Sequence, residues 1–206
     1  MCWNFESSIL SFFIGIIISN LYIKRNRPFD TTMAYLIGFY SFIQLFEAIL
    51  WKSLTNKTVF GFDSYIVNLF TTQLIYYCLF THVIGLSFGI YLESNYTNYI
   101  PLLVGFIIFL YALYKKPKIM KKSHPTDTSN GHIVWGFDPY NYPIIMIASI
   151  LLVLQFTELK YSYIGILFYL LTFLFSKITN TEAVASYWCW ISAFLSFIPL
   201  LITYKL

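Results

Sequence analysis

The chain has 206 residues, of which 58% are hydrophobic, 21% aromatic and only 11% charged. Soluble domains carry about 25% charged residues, so this composition excludes an ordinary soluble fold and predicts an integral membrane protein. The net charge of +4 comes from lysines and arginines in short loops beside apolar runs, a pattern typical of membrane anchoring. The predicted partner is therefore the lipid bilayer, and nucleic acid is excluded.

Seven apolar runs are predicted to cross the bilayer as helices, since a crossing needs roughly 17–25 residues. Helices satisfy their own backbone hydrogen bonds, which a chain inside lipid must do. The runs lie at about 7–23, 33–51, 65–92, 98–114, 140–156, 161–176 and 183–204. The predicted fold is all-α, a seven-helix transmembrane bundle. It forms a single integral membrane domain over 1–206, with 115–139 as its longest loop.

The second predicted helix contains an acid within the stretch "QLFEAILW". Gln44, Glu47 and Trp51 stand at i, i+3 and i+7, so they share one helix face. An acid inside a membrane span is costly and usually faces the bundle interior with a partner. Two interpretations stay open for Glu47. It either makes a structural contact or reaches the interface, or it serves as a ligand-binding group, a proton carrier or a catalytic acid.

Two nearly identical heptapeptides, "VFGFDSY" at 59–65 and "VWGFDPY" at 134–140, each precede a predicted helix. Asp63 and Asp138 are predicted N-caps, and both copies are interpreted as one local way of starting a helix at the interface. Two crossings separate the copies, which places both on the N-terminal side of the membrane. Their aromatic side chains suit an interfacial belt; these are Phe60, Phe62, Tyr65, Trp135, Phe137 and Tyr140.

The third predicted helix carries two further polar candidates. Gln73 lies ~12 Å along it and is an expected neighbour of Glu47. His82 lies ~25 Å along it, nearer the opposite face, and is interpreted as a buried histidine with a satisfied hydrogen bond. Gly85 and Gly89 form a GxxxG pattern, which favours close helix packing.

The last predicted helix reads "SYWCWISAFLS", where small residues favour helix packing. It starts on the side where the second helix ends, so Glu47 is expected within ~8 Å of Ser186, Trp188 or Cys189, a distance of direct or one-water contact. The donors expected for its carboxylate are Trp51, Trp188, Ser186, Gln44, Gln73 and His132. The whole candidate pocket comprises Cys2, Gln44, Glu47, Trp51, Gln73, His132, Trp135, Ser186, Trp188 and Cys189. No local metal-ligand spacing occurs, so Cys2, Glu47, His132 and Cys189 are only weak candidates for zinc ligands.

Three ordered motifs resemble a family of small, uncharacterised polytopic membrane proteins, mostly bacterial with some viral members. They are Met1-Cys2-Trp3, then Gln44, Glu47, Ala48 and Trp51, then Ser186, Trp188 and Cys189. His132, Ile133 and Trp135 resemble a further family motif. Trp3, Ala48 and the lysine-rich stretch 115–122 depart from the family pattern. The resemblance implies the fold and the site but names no reaction, and the cofactor stays unknown. The richness in Ile, Asn, Lys, Tyr and Phe suits an AT-rich viral genome.

Two classes of function follow, with a third beside them. The favoured one is binding or transport of a small molecule or lipid in a polar pocket around Glu47 on the N-terminal side. The alternative is a membrane-embedded enzyme acting on a lipid or isoprenoid, with Glu47 or His132 as acid or base and Cys189 as nucleophile. A structural membrane component, such as one of a virion, is the third.

An opsin is excluded because residues 183–204 contain no lysine. Loop lysines and arginines favour a cytoplasmic N-terminus by number, but "KRNRP" after the first helix favours the reverse.

Overall fold

The computed structural model describes residues 4–119, 128–129, 132–135, 147–152 and 159–179. The elements in chain order are helix α1 (Phe5–Arg25), helix α2 (Asp30–Thr55), strands β1 (Thr58–Val59) and β2 (Phe62–Asp63), helix α3 (Ser64–Glu93), helix α4 (Ile100–Ile119), strands β3 (Thr128–Ser129) and β4 (His132–Ile133), and helix α5 (Leu159–Thr179). Residues 147–152 are also helical. Within these ranges the sheets are two short antiparallel hairpins, so the predicted all-α class is confirmed.

Helices α1, α2 and α3 are each long and apolar enough to cross a membrane. They have 21, 26 and 30 residues, and a bilayer core needs about 20. The apolar parts of α4 and α5, Ile100–Lys115 and Leu170–Thr179, are shorter. The predicted helix at 183–204 lies outside the described residues.

Two helices extend well beyond their predicted bounds. Helix α2 was predicted to end at Trp51 but continues to Thr55, so Glu47 lies ~12 Å from the end of the helix and is deeper than the sequence implied. Helix α4 continues to Ile119, into the stretch 115–139 that was predicted as loop. Lysine is a good helix former, and the Nζ atom of Lys115 lies 5.6 Å from the ring centroid of Tyr111, which stabilises this extension.

Helix α2 is the central element, because it packs against α1 on one side and α3 on the other, while α3 also packs against α4. The larger core cluster contains Ile43, Leu50 and Phe80, together with Ile133 and Trp135 from beyond α4. The Nζ atom of Lys52 lies 4.3 Å from the Phe5 ring centroid, so α1 begins where α2 ends. We call this end of the structure the N-terminal end.

The opposite end is held by polar contacts between helix termini. Asp30 accepts hydrogen bonds from Arg25 Nε at 2.8 Å and Arg25 Nη2 at 2.5 Å. The residue before α2, Phe29, has no side-chain cap, but Glu93 at the end of α3 supplies one. Thr32 donates to it through its backbone N at 3.4 Å and its hydroxyl at 2.6 Å. A carboxylate at a helix N-terminus is stabilising, so this contact fixes α3 against α2.

The first heptapeptide forms the β1–β2 hairpin and the start of α3. Its turn residues Phe60 and Gly61 both have positive φ, 54° and 82°, the combination that a type I′ turn requires. Asp63 accepts a hydrogen bond from the backbone N of Tyr65 at 2.8 Å, so the predicted N-cap is confirmed. The side chains of Phe60 and Phe62 are 77% and 65% exposed, as expected of residues in an interfacial belt.

The second heptapeptide does not repeat this local structure over its described residues. The β3–β4 hairpin lies directly before it, and Val134 and Trp135 belong to no strand. Trp135 occupies the position of Phe60, but it is only 6% exposed and packs in the main core. The prediction that Trp135 belongs to an interfacial belt is therefore wrong. Asp138 lies outside the described residues.

Candidate functional site

Four residues capable of hydrogen bonding form one stripe along α2. Tyr40, Gln44, Glu47 and Trp51 stand at i, i+4, i+7 and i+11, a spacing that keeps them on one helix face. Tyr40 is 6% exposed, and Gln44 and Glu47 are fully buried. We call these four residues the polar stripe. The sequence places them among the apolar residues that pack α2 against α3, so their polar groups lie inside the structure.

The buried carboxylate of Glu47 is held by an indole from a segment that follows α4 in the chain. Trp135 Nε1 donates a hydrogen bond to Glu47 Oε1 at 2.8 Å, and both groups are buried. The two residues are 88 positions apart in the chain. A hydrogen bond to a charged group contributes about 1.5–3 kcal/mol. This contact therefore ties the segment after β4 to the centre of α2.

Trp51 contributes a second indole to the same stripe, one turn beyond Glu47. Its Nε1 atom is buried and has no hydrogen-bond acceptor within the described part of the chain. A buried donor without an acceptor costs about 1–3 kcal/mol, which an acceptor on a bound molecule would recover. Trp51 is therefore the polar-stripe residue best suited to contact a ligand.

The inner end of the polar stripe meets a buried histidine. The rings of Tyr40 and His82 lie 5.0 Å apart between centroids, and His82 Nε2 lies 3.3 Å from Ser149 Oγ. His82 is fully buried and lies ~27 Å along α3 from Ser64 but only ~17 Å from Glu93. The prediction of a buried histidine nearer the opposite end is confirmed, and its hydrogen bonding is confirmed for one ring nitrogen, Nε2.

Of the other predicted site residues, two are described and four lie outside the described ranges. Gln73 is half-buried on α3, and His132 lies in β4. Four more lie outside the described residues, so the expected approach of Glu47 to the last helix stays a prediction; these are Cys2, Ser186, Trp188 and Cys189. The described residues contain no group of three His, Cys, Asp or Glu side chains placed to hold a metal ion.

Sequence reasoning placed Trp135 on the correct side but did not identify it as a donor to Glu47. The comparison of the heptapeptides contained the signal. Where the first copy has Phe60, the second has Trp135, whose indole N–H is a hydrogen-bond donor that phenylalanine lacks. A donor at that position needs an acceptor when it is buried, and Glu47 supplies it.

Comparison with protein-family models, with curated proteins and with solved structures finds no match to this chain. The site is therefore interpreted from its own chemistry. It offers a carboxylate, an amide, a phenol, an imidazole and two indole donors within one apolar structure. Such a set binds polar groups and can exchange protons, while its apolar surroundings suit an amphipathic molecule.

Proposed function

We propose that this chain is a multi-pass integral membrane protein that binds a small molecule or lipid in a polar pocket around Glu47, as a binding or transport protein. The proposal includes a seven-helix bundle, membership of the polytopic family described above, and a pocket that opens at the N-terminal end. The observation that carries it is the buried hydrogen bond from Trp135 to Glu47.

A ligand-binding role explains this arrangement better than a purely structural one. Burying a carboxylate is costly even when it is hydrogen-bonded, and apolar residues would pack α2 against α3 without that cost. Polar residues inside membrane helices typically mark ligand or ion pathways. One wall of the pocket, at Trp135, comes from a segment between helices, where binding residues are commonly found.

The chemistry of the ligand follows from the groups that line the pocket. Trp51 offers a buried N–H donor, so the ligand needs an acceptor such as a hydroxyl, carbonyl or phosphate oxygen. Glu47 favours a donor on the same molecule. Ile43 and Leu50, on the same helix, are fully buried, and such apolar surroundings suit a hydrocarbon tail. The class that meets these conditions is an amphipathic lipid or a small molecule with a polar head.

Native mass spectrometry of the protein purified from membranes tests the proposal. We expect a bound lipid or small molecule on the wild-type protein and a loss of it in Glu47→Gln and Trp51→Phe. Glu6→Gln is the matched control, because Glu6 is an exposed acid on α1 and the change is chemically identical. A wild-type protein without any adduct, or adducts retained by both pocket variants, would refute the binding role. Stoichiometric zinc in the same spectra would instead favour the membrane-embedded enzyme.

A further inference from the structure

The polar stripe continues beyond the proposed pocket into the middle of the structure. Neighbouring members are three or four residues apart, a spacing that puts their Cβ atoms about 5–6 Å from each other. Tyr40 lies ~10 Å from Glu47 along α2 and ~15 Å from the start of the helix. The stripe therefore connects the N-terminal end to the centre of α2 through side chains that can donate and accept hydrogen bonds.

At its inner end the stripe reaches the ring of His82. Tyr40 packs against His82 at 5.0 Å between ring centroids, and Ser149 Oγ lies 3.3 Å from His82 Nε2. Carboxylate, amide, phenol, imidazole and hydroxyl groups thus follow one another over buried positions. A water molecule can bridge neighbouring polar groups that do not touch directly.

Beyond His82 the α2–α3 interface closes. A Cβ atom at Gly85 would lie 2.9 Å from the backbone oxygen of Tyr35, and one at Gly89 would lie 2.5 Å from Thr32 Cα. Backbones at that distance leave no room for water or for a polar side chain between the helices. Along α2 and α3 the row of polar groups therefore ends at His82 on this side.

Within the described ranges, few other titratable groups lie against this row of residues. On α3, Cys78 precedes His82 by one turn and is half-buried. The hydroxyl of Tyr76, also on α3, is directed elsewhere, since it donates to the backbone oxygen of Ala112 on α4 at 3.0 Å. On α4, Tyr111 packs against the same core. The groups in the row that can carry a proton are Glu47, Tyr40 and His82.

We propose that Glu47, Gln44, Tyr40 and His82 form a proton path that connects the N-terminal end of the protein to a blind end at His82. This deepens the proposed function and rests on it, because it gives the Glu47 pocket a proton as the ion coupled to ligand exchange. Chains of Asp, Glu and His residues serve this purpose in membrane pumps and transporters. Trp135, which holds Glu47 by its indole, stands at the outer end of the path.

Hydrogen–deuterium exchange at the imidazole Cε1 atom tests the path directly. In this exchange the ring is first protonated and a base then removes the Cε1 proton, so the rate depends on the delivery of protons to the histidine and on the access of base from solvent. The wild-type protein in lipid nanodiscs is held in D₂O, and peptide mass spectrometry follows His82 separately from the two other histidines, His124 and His132. We expect His82 to exchange although it is fully buried. Tyr40→Phe and Gln44→Leu should slow it at least about tenfold, which corresponds to about 1.4 kcal/mol in the barrier.

Glu6→Gln is again the control and should leave the exchange rate of His82 unchanged. A variant that unfolds would expose His82 and raise its exchange rate, so misfolding does not imitate the expected slowing. The path is refuted if wild-type His82 stays unexchanged while His124 exchanges fully, or if Tyr40→Phe leaves its rate at the wild-type value. No ligand is added in this assay. A wild-type protein that carries no adduct but exchanges at His82 as expected therefore refutes the pocket alone. A wild-type protein that carries the adduct but does not exchange at His82 refutes the path alone.

Discussion

Removing the indole donor of Trp135 should destabilise the protein through the carboxylate that it leaves behind. In Trp135→Phe the aromatic packing is largely kept, but Glu47 Oε1 loses the hydrogen bond of 2.8 Å. A buried acceptor that loses a charge-assisted bond costs about 2 kcal/mol. In a Glu47→Gln background the same substitution should cost about 1 kcal/mol, because a neutral hydrogen bond is roughly half as strong. We therefore expect a coupling energy of about 1 kcal/mol between the two positions.

The assay is the free energy of unfolding in mixed detergent micelles, measured for the wild type, both single variants and the double variant. In protein freed of bound lipid, Trp51→Phe is the matched control, since it makes the same exchange at an indole without an acceptor in the described residues. That variant should lose no stability, because it removes a buried donor that has no acceptor there, and it should show no coupling to Glu47→Gln. The reasoning fails if Trp135→Phe and Glu47→Gln add within about 0.5 kcal/mol, as independent sites do.

Two further predictions concern the end of the structure opposite the pocket. Arg25→Ala leaves the carboxylate of Asp30, which is 2% exposed, without its bidentate partner. The free energy of unfolding should fall by about 2–3 kcal/mol, which lowers the midpoint of thermal unfolding. An unchanged midpoint would contradict the structural role of the pair. Gly89→Ala places a Cβ atom 2.5 Å from Thr32 Cα, so overpacking should cost about 1–3 kcal/mol. The control is Gly61→Ala in the β1–β2 turn, where no atom lies within 4 Å of the added Cβ. Its only cost is the positive φ, about 1 kcal/mol. Equal losses of stability in both variants would argue against close α2–α3 packing.

The helical class and the start of α3 could be predicted because they depend on local sequence. Long apolar runs dictate helices in a membrane protein, and Asp63 has the side chain that an N-cap requires. Helix ends were less predictable where partners distant in sequence decide them. Helix α2 begins at Asp30, which is held by Arg25, and its first turn is capped by Glu93 from the end of α3. Neither contact has a signature within the sequence of α2.

The candidate site divides in the same way. The periodicity of α2 is enough to place Gln44, Glu47 and Trp51 on one face, and the cost of a buried acid is enough to predict that Glu47 has a donor. The identity of that donor depends on how the segment after β4 folds back over 88 residues of chain. The two heptapeptides were interpreted as structurally alike, but Phe60 lies in an exposed turn while Trp135 packs in the core. The residues that the two heptapeptides share therefore occur in different structural surroundings.

The central claim is that Glu47 and Trp51 bind a molecule other than protein, and a high-resolution structure determined in lipid nanodiscs tests it most directly. We predict density for a lipid or small molecule whose acceptor atom lies within hydrogen-bond distance of Trp51 Nε1, about 2.7–3.2 Å, and whose polar head also contacts the carboxylate of Glu47. A structure in which Trp51 Nε1 and Glu47 are both satisfied by protein groups alone, with no molecule beside them, would contradict the account.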